Sequence, residues 1–209
     1  MSTSETRTQE SPALPVVTAS TTSGPHAALH RNAMELLTDW SAPDAGQSSL
    51  REAFLGFLAA RPDATQRSCA AGHLTASALV LSADGGSTLL TLHPRVGRWL
   101  QLGGHCEEQD LTLADAALRE ASEESGIPGL ALLPDPVHLD VHAITCSLGV
   151  PNRHFDVQFA VIAPADAVPM ISDESLDLRF FPLGSLPPET DDGLRAALAA
   201  LHQVRPRPR

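Results

Sequence analysis

The stretch Gly104–Ile127 reads GHCEEQDLTLADAALREASEESGI, and the fold turns on it. Thr112 followed by Asp115 is a capping-box-like start, and Gly126 is a left-handed stop. A helix is therefore expected from about Thr112 to Ser125. On it Glu120, Glu123 and Glu124 stand at i, i+3 and i+4, on one face, with Cβ atoms roughly 5–6 Å apart. Carboxylates this close repel one another, and a hard divalent cation with oxygen ligands offsets that repulsion. Arg119, four residues before Glu123, can pair with it and leave Glu120 and Glu124 for ligation. Ala114, Leu118 and Ala121 are expected to pack inward, with Ala116 and Ala117 as small residues beside the acidic stripe. Upstream, Gly103-Gly104 closes a short strand, Trp99–Leu102, in a turn closed to bulkier residues, which can aim a main-chain carbonyl at the ion. An acidic helix face with an arginine four residues earlier is more often solvated surface; the strand–GlyGly–loop–helix context favours a site.

Working outward, Ala76–Leu81 and Thr88–His93 flank Asp84-Gly85-Gly86 and read as a β-hairpin. Beyond the helix, His138–His142 and His154–Phe159 alternate as strands, each with its polar side chains on one face. Asp177–Phe181 reads as another strand, and Leu194, Ala197, Leu198 and Leu201 mark a closing helix. Before the hairpin, Leu29, Ala33, Leu36, Leu37 and Trp40 share one helical face, as do Leu50, Phe54, Phe57 and Leu58, with Pro62 as a stop. These form an expected helical hairpin over 25–66, ahead of a main domain at 67–204. Residues 1–24, rich in Ser, Thr and Pro, read as a disordered tail dispensable for chemistry, and 205–209 as a frayed one.

Composition narrows the function. The chain has 209 residues, a net charge of -11 and 43% hydrophobic residues. The acidic balance argues against passive binding to nucleic-acid backbones, although a metal ion can supply positive charge locally. Lysine is absent, which excludes a P-loop lysine, a Schiff-base lysine and a lysine general base. No apolar run reaches the roughly 18 residues of a membrane span, and the first 25 residues lack a secretory signal's apolar stretch. Cys69, Cys106 and Cys146 form no CxxC pair, so a reducing cytoplasm is expected.

The quoted stretch resembles the Nudix family, whose box runs Gly-x5-Glu-x7-Arg-Glu-U-x-Glu-Glu-x-Gly-U with U apolar. Gly104 matches the first glycine, and Arg119 to Ile127 match the second half in order. Asp110 stands where the family has Glu, eight residues rather than seven separate it from Arg119, and Ala121 is a weak U. The extra residue is expected to be absorbed before the helix, with Asp110 outside the metal site and capping the helix start. The resemblance implies an α+β fold, an α/β/α sandwich with a mixed sheet, carrying the N-terminal helical hairpin. It implies Mg²⁺ or Mn²⁺ held by Glu120, Glu124 and the Gly104 carbonyl. Glu123 would be a further ligand or the base for the attacking water, oriented by Arg119. The implied reaction is hydrolysis of a diphosphate bond in a nucleoside diphosphate linked to a group X.

For the substrate, Arg98, His142, Arg153 and Asp156 are candidate contacts, with Arg95 a further phosphate clamp. His138, Asp140 and His142 with His154, Asp156 and Gln158 would form a polar cleft wall if their strands pair. Glu174 resembles a late acidic residue that helps bind metal or activate water in some relatives. Glu107 and Glu108 are candidate outer ligands, and Trp40 reads as helix-packing core. Nine histidines, with Cys106 beside His105, raise structural zinc. The reading is against it, because the turn at His105 accepts many residue types. Two alternatives stand beside hydrolysis: a non-catalytic nucleotide-binding module, and an allylic diphosphate isomerase, which would need a well-placed Cys and a His-rich metal site. The group X is not legible in the sequence, nor is the oligomeric state, for which a homodimer is left open.

Overall fold

The computed structural model describes residues 24–145, 149, 151–172 and 175–204. Residues 1–23 of the expected 1–24 tail and the expected tail 205–209, together with Cys146 and Glu174, lie outside the described residues.

Two N-terminal helices, α1 (Pro25–Asp39) and α2 (Ala45–Ala60), precede a seven-stranded mixed sheet. Its strands are β1 (His73–Leu81), β2 (Ser87–Leu92), β3 (Trp99–Leu100), β4 (Leu102–His105), β5 (Ala131–Thr145), β6 (Pro151–Ile162) and β7 (Asp177–Pro182). Helix α3 (Leu113–Ser125) follows β4, and α4 (Asp192–Val204) closes the order. The main path runs β3-β2-β1-β6-β5, with β7 on β2 and β4 on β1. Among the strands of the described residues, β1 and β6 pair in parallel and the other pairs are antiparallel.

Alternation along β1 divides the core into layers. Leu74 and Ala76 pack with Leu29, Phe54, Leu113 and Ala117, while Ala78 and Val80 pack with Ala121. That face carries α1, α2 and α3. Leu79 and Leu81 point to the other face, against Leu194, Ala197 and Leu201 of α4. The result is a helix–sheet–helix sandwich.

The helical hairpin is built into the domain. Trp40 donates its indole N–H to the Pro136 carbonyl at 2.6 Å. The buried amide of Gln47 accepts from Leu139 N at 2.7 Å and donates to Leu139 O at 3.0 Å. Asn32 Oδ1 accepts the Leu113 amide at 3.0 Å, satisfying an orphan donor at the start of α3.

Three details depart from the sequence reading. The expected strand Trp99–Leu102 is two strands, because the chain changes partner at Gln101 from β2 to β1. Gly103 and Gly104 lie inside β4 and not in a turn after it. Strand β5 begins seven residues before His138, through Pro134 and Pro136; irregular register between Leu132 and His138 lets this edge strand accept prolines.

Candidate active site

Helix α3 starts with reciprocal capping. Thr112 Oγ1 accepts from Asp115 N, and Asp115 Oδ2 accepts from Thr112 N, both at 3.0 Å. Gly126 ends it in the left-handed region at φ 63°. The helix is α-helical throughout Leu113–Ser125, so the extra residue before Arg119 is taken up ahead of Leu113. Ala116 and Ala117 are fully buried beside Ala121, and they fill the helix–sheet interface where the sequence reading had them flank the acidic stripe.

Asp110 does not cap this helix. It is 3% exposed, accepts from Glu107 N at 2.7 Å, and holds Arg119 by two hydrogen bonds, Nε to Oδ1 at 3.0 Å and Nη2 to Oδ2 at 2.9 Å. Arg119 Nη2 also reaches the His105 carbonyl at 2.9 Å, and Nη1 donates to Glu120 Oε1 at 3.0 Å and Glu123 Oε2 at 3.1 Å. The arginine thus orients two box carboxylates, where the spacing suggested Glu123 alone. Hydrogen bonding to Asp110, then the charge of Glu120, holds its guanidinium firmly protonated.

The third carboxylate is tied to the sheet: Gly103 N donates to Glu124 Oε2 at 3.1 Å. Both glycines answer to close approach. Gly103 has φ 152°, and a Cβ there would lie 2.3 Å from Ser77 Cβ. A Cβ on Gly104 would lie 2.7 Å from Glu120 Oε1. Glu120, Glu123 and Glu124 with Ser172 line a cleft of about 230 Å³. Glu120 is 14% exposed and Glu123 61%. Burial raises the Glu120 pKa above the ordinary carboxylate range; Arg119 opposes the rise, and Glu123 and Glu107 add to it. A partly buried carboxylate beside two others is an environment that a divalent cation would relieve, and the oxygen-only donor set suits Mg²⁺ or Mn²⁺. The larger cleft, about 500 Å³, is a different one, lined by Arg67, Cys106, Glu107 and Glu108 among others. The box carboxylates line the smaller of these two clefts, and the loop glutamates line the other.

Strands β5 and β6 pair in the register the polar-wall reading needs: His138 faces Gln158, Asp140 faces Asp156, and His142 faces His154. Strand β1 extends this face through His73, Thr75 and Ser77, opposite His154, Asp156 and Gln158. Asp156 is buried and accepts from Thr75 Oγ1 (2.9 Å), Ser77 Oγ (2.7 Å), Gln158 Nε2 (3.0 Å) and Gln101 Nε2 (3.4 Å). It is a hub that orients its neighbours. His142 Nδ1 lies 2.7 Å from Asp140 Oδ2; this contact raises the imidazole pKa and lowers that of Asp140. Arg98 pairs with Asp191 at 3.6 Å, and Gly193 just beyond lies against Asp140, which sets Arg98 at the rim of this face. Arg153 pairs across from Ala143, so its side chain leaves β6 on the opposite face from His154 and Asp156. Arg95 lies in the exposed connection between β2 and β3. Sequence reasoning missed His73, Thr75, Ser77 and Gln101. The alternation of His73, Thr75 and Ser77 was legible, but their parallel pairing with β6 was not.

The chain matches the NUDIX domain family over residues 72–201 and belongs to it. It is thereby a Nudix hydrolase, a class acting on phosphoric anhydride bonds. A NUDIX-family hydrolase from Clostridium perfringens shares the fold, at 23% identity and TM-score 0.50, over 64% of this chain and 98% of that one. A MutT NUDIX hydrolase from Burkholderia pseudomallei aligns at 23% identity and TM-score 0.45, over 63% and 97%. The NUDIX domain of Shewanella oneidensis NrtR, complexed with ADP ribose, aligns at 21% and 0.49, over 65% and 90%. No curated protein matches the chain.

Proposed function

We propose that this protein hydrolyses the diphosphate linkage of a nucleoside diphosphate joined to a second group, with Mg²⁺ or Mn²⁺ at the α3 carboxylates. The convergence of Glu120, Glu123 and Glu124 on the Gly103–Gly104 edge carries the reading. Glu120, Glu124 and the Gly104 carbonyl would hold the ion, with Glu123 completing the set or serving as base. When bound, the ion neutralises the diphosphate and acidifies water. As base, Glu123, the more exposed of the pair that Arg119 holds, would take the proton of the attacking water. Arg119 joins Glu120 and Glu123 through one nitrogen and aims both, and Asp110 keeps Arg119 in place. His142 and the rim arginine Arg98 would meet the substrate's remaining groups, while Asp156 orients Thr75, Ser77 and Gln101 on that face. Arg153 leaves β6 on the other face, the one that packs against α2 and α3.

The isomerase alternative lacks its cysteine among the described residues. Cys106 is buried with its thiol pushed up to about 12 by burial, and Cys69 is buried as well. A product-resolved screen with Mg²⁺ tests the proposal against nucleotide sugars, dinucleoside polyphosphates, ADP-ribose, NADH and oxidised nucleoside triphosphates. Cleavage between phosphorus atoms is expected for at least one class. Binding without turnover would point to the non-catalytic module.

A further inference from the structure

Outside the carboxylate cleft, three imidazoles from three adjacent strands meet. His73 opens β1, His105 closes β4 and His154 lies early in β6. Register forces the meeting: His73 pairs directly with His154, and His105 pairs with Thr75, two residues along the same face of β1. The rings pack mutually, with centroids 4.9 Å apart for His73–His154 and 5.0 Å for His73–His105 and His105–His154. One ligand atom from each lies within 4.8 Å of the other two.

The Nε2 atoms make this more than a ring cluster. Nε2 of His73, His105 and His154 are each buried without a hydrogen-bond partner. Buried polar atoms in folded proteins are almost always satisfied, so three unsatisfied nitrogens on mutually packed rings point to a shared occupant. Any three donors within 4.8 Å of one another can all lie within about 2.8 Å of a common centre, and small ring rotations bring that to a Zn–N bond of about 2.0–2.1 Å. Behind the rings, Asn152 Nδ2 lies 3.2 Å from the Cys69 carbonyl and 3.3 Å from His73 Nδ1, so the His73 ring is held from its far side.

We propose that His73, His105 and His154 form a second metal site, one that takes a borderline transition-metal ion of the Zn²⁺ class through Nε2. Three neutral nitrogens make a poor site for Mg²⁺ and a good one for zinc, whereas the α3 carboxylates have the opposite preference. Three protein ligands leave a fourth position for water or a substrate group, and Thr75 and Asp156 lie next along the same face. The site pins β1, β4 and β6 at the end of the sheet where Gly104 meets Glu120. It does not rest on the phosphoanhydride reading, because its ligands and its ion differ from those at the box.

The test is zinc retention by full-length protein, stripped with chelator, reloaded and dialysed against millimolar Mg²⁺. Wild type should keep about one equivalent, and so should the Glu120→Gln/Glu124→Gln double variant, whereas His154→Gln and His105→Gln should keep almost none. No retention by wild type, or loss in the double variant with retention in the histidine variants, overturns the proposal. If the histidine variants do not fold, wild-type protein labelled with ¹⁵N-histidine decides. Zinc should shift the Nε2 resonances of three histidines; unshifted resonances would mean that water fills the cluster.

Discussion

Arg119 and Asp110 are joined by two parallel hydrogen bonds at 3.0 and 2.9 Å, with Asp110 3% and Arg119 14% exposed at the side chain. The same guanidinium turns its remaining donor face to Glu120 and Glu123. Asp110 therefore reaches the chemistry through Arg119.

Asp110→Asn should consequently injure stability more than a surface change would. Breaking one side of a buried pair costs about 3–5 kcal/mol, and the other carboxylates beside Arg119 favour the low end. Turnover should fall about 10–100-fold, as for groups that orient metal ligands, and added Mg²⁺ should restore part of it. Denaturant unfolding and a Mg²⁺ titration of rate measure both. An unchanged unfolding midpoint would remove the pair from this account.

The two glycines of β4 should fail in different ways when each is changed to alanine. At Gly103 the new methyl meets Ser77 backbone and Cβ and the φ is strained, so the fold should lose more than the roughly 1–3 kcal/mol of backbone strain alone. At Gly104 the methyl meets only the end of the Glu120 side chain, which can swing away. Gly104→Ala should stay near wild type in melting temperature but lose on the order of 100-fold in kcat/KM. Equal melting losses for the two variants would contradict this division.

The Asp140–His142 pair should give a pH-dependent share of stability. Asp140 raises the His142 pKa above 6.5, so that share is complete below about 6.5 and fades as pH rises through the raised folded value. Asp140 is lowered from 3.8, chiefly by His142, so its share persists above about 3.8 and is lost as pH falls through its lowered folded value. Asp140→Asn should therefore destabilise the apo protein more at about pH 5.5 than at about pH 8.5. His105 and His154, held down to about 4 and about 3 by burial, make wild type and variant alike less stable in acid. The measurement is thus the difference between the two proteins at each pH. An equal difference at both would mean that the contact does not link to the proton.

Much of this was legible in the sequence because it is local. The capping pair Thr112–Asp115, the stop at Gly126 and the carboxylate spacing on α3 are all set within one helix, and periodicity reports them. The polar faces of β5 and β6 were also readable, since alternation is local. What could not be read depends on partners distant in sequence. His73 meets His154 across 81 positions by a parallel pairing that no turn signal announces. Asp110 looked like a cap because its real partner, Arg119, lies on the far side of the loop insertion. Gly103-Gly104 looked like a turn because a strand pressed against Ser77 needs glycine for the same steric reason.

The most direct test of the central claim is Glu124→Gln assayed at saturating Mg²⁺ on whichever diphosphate substrate the wild type cleaves. Glutamine preserves the shape and can still accept the Gly103 amide, so only a charged ligand is lost. The expected result is a fall in kcat of about a thousand-fold, equivalent to about 4 kcal/mol, with no loss of melting temperature in the absence of metal. Turnover close to wild type under those conditions would show that Glu124 does not hold the ion and that the carboxylate cleft is not the reaction centre.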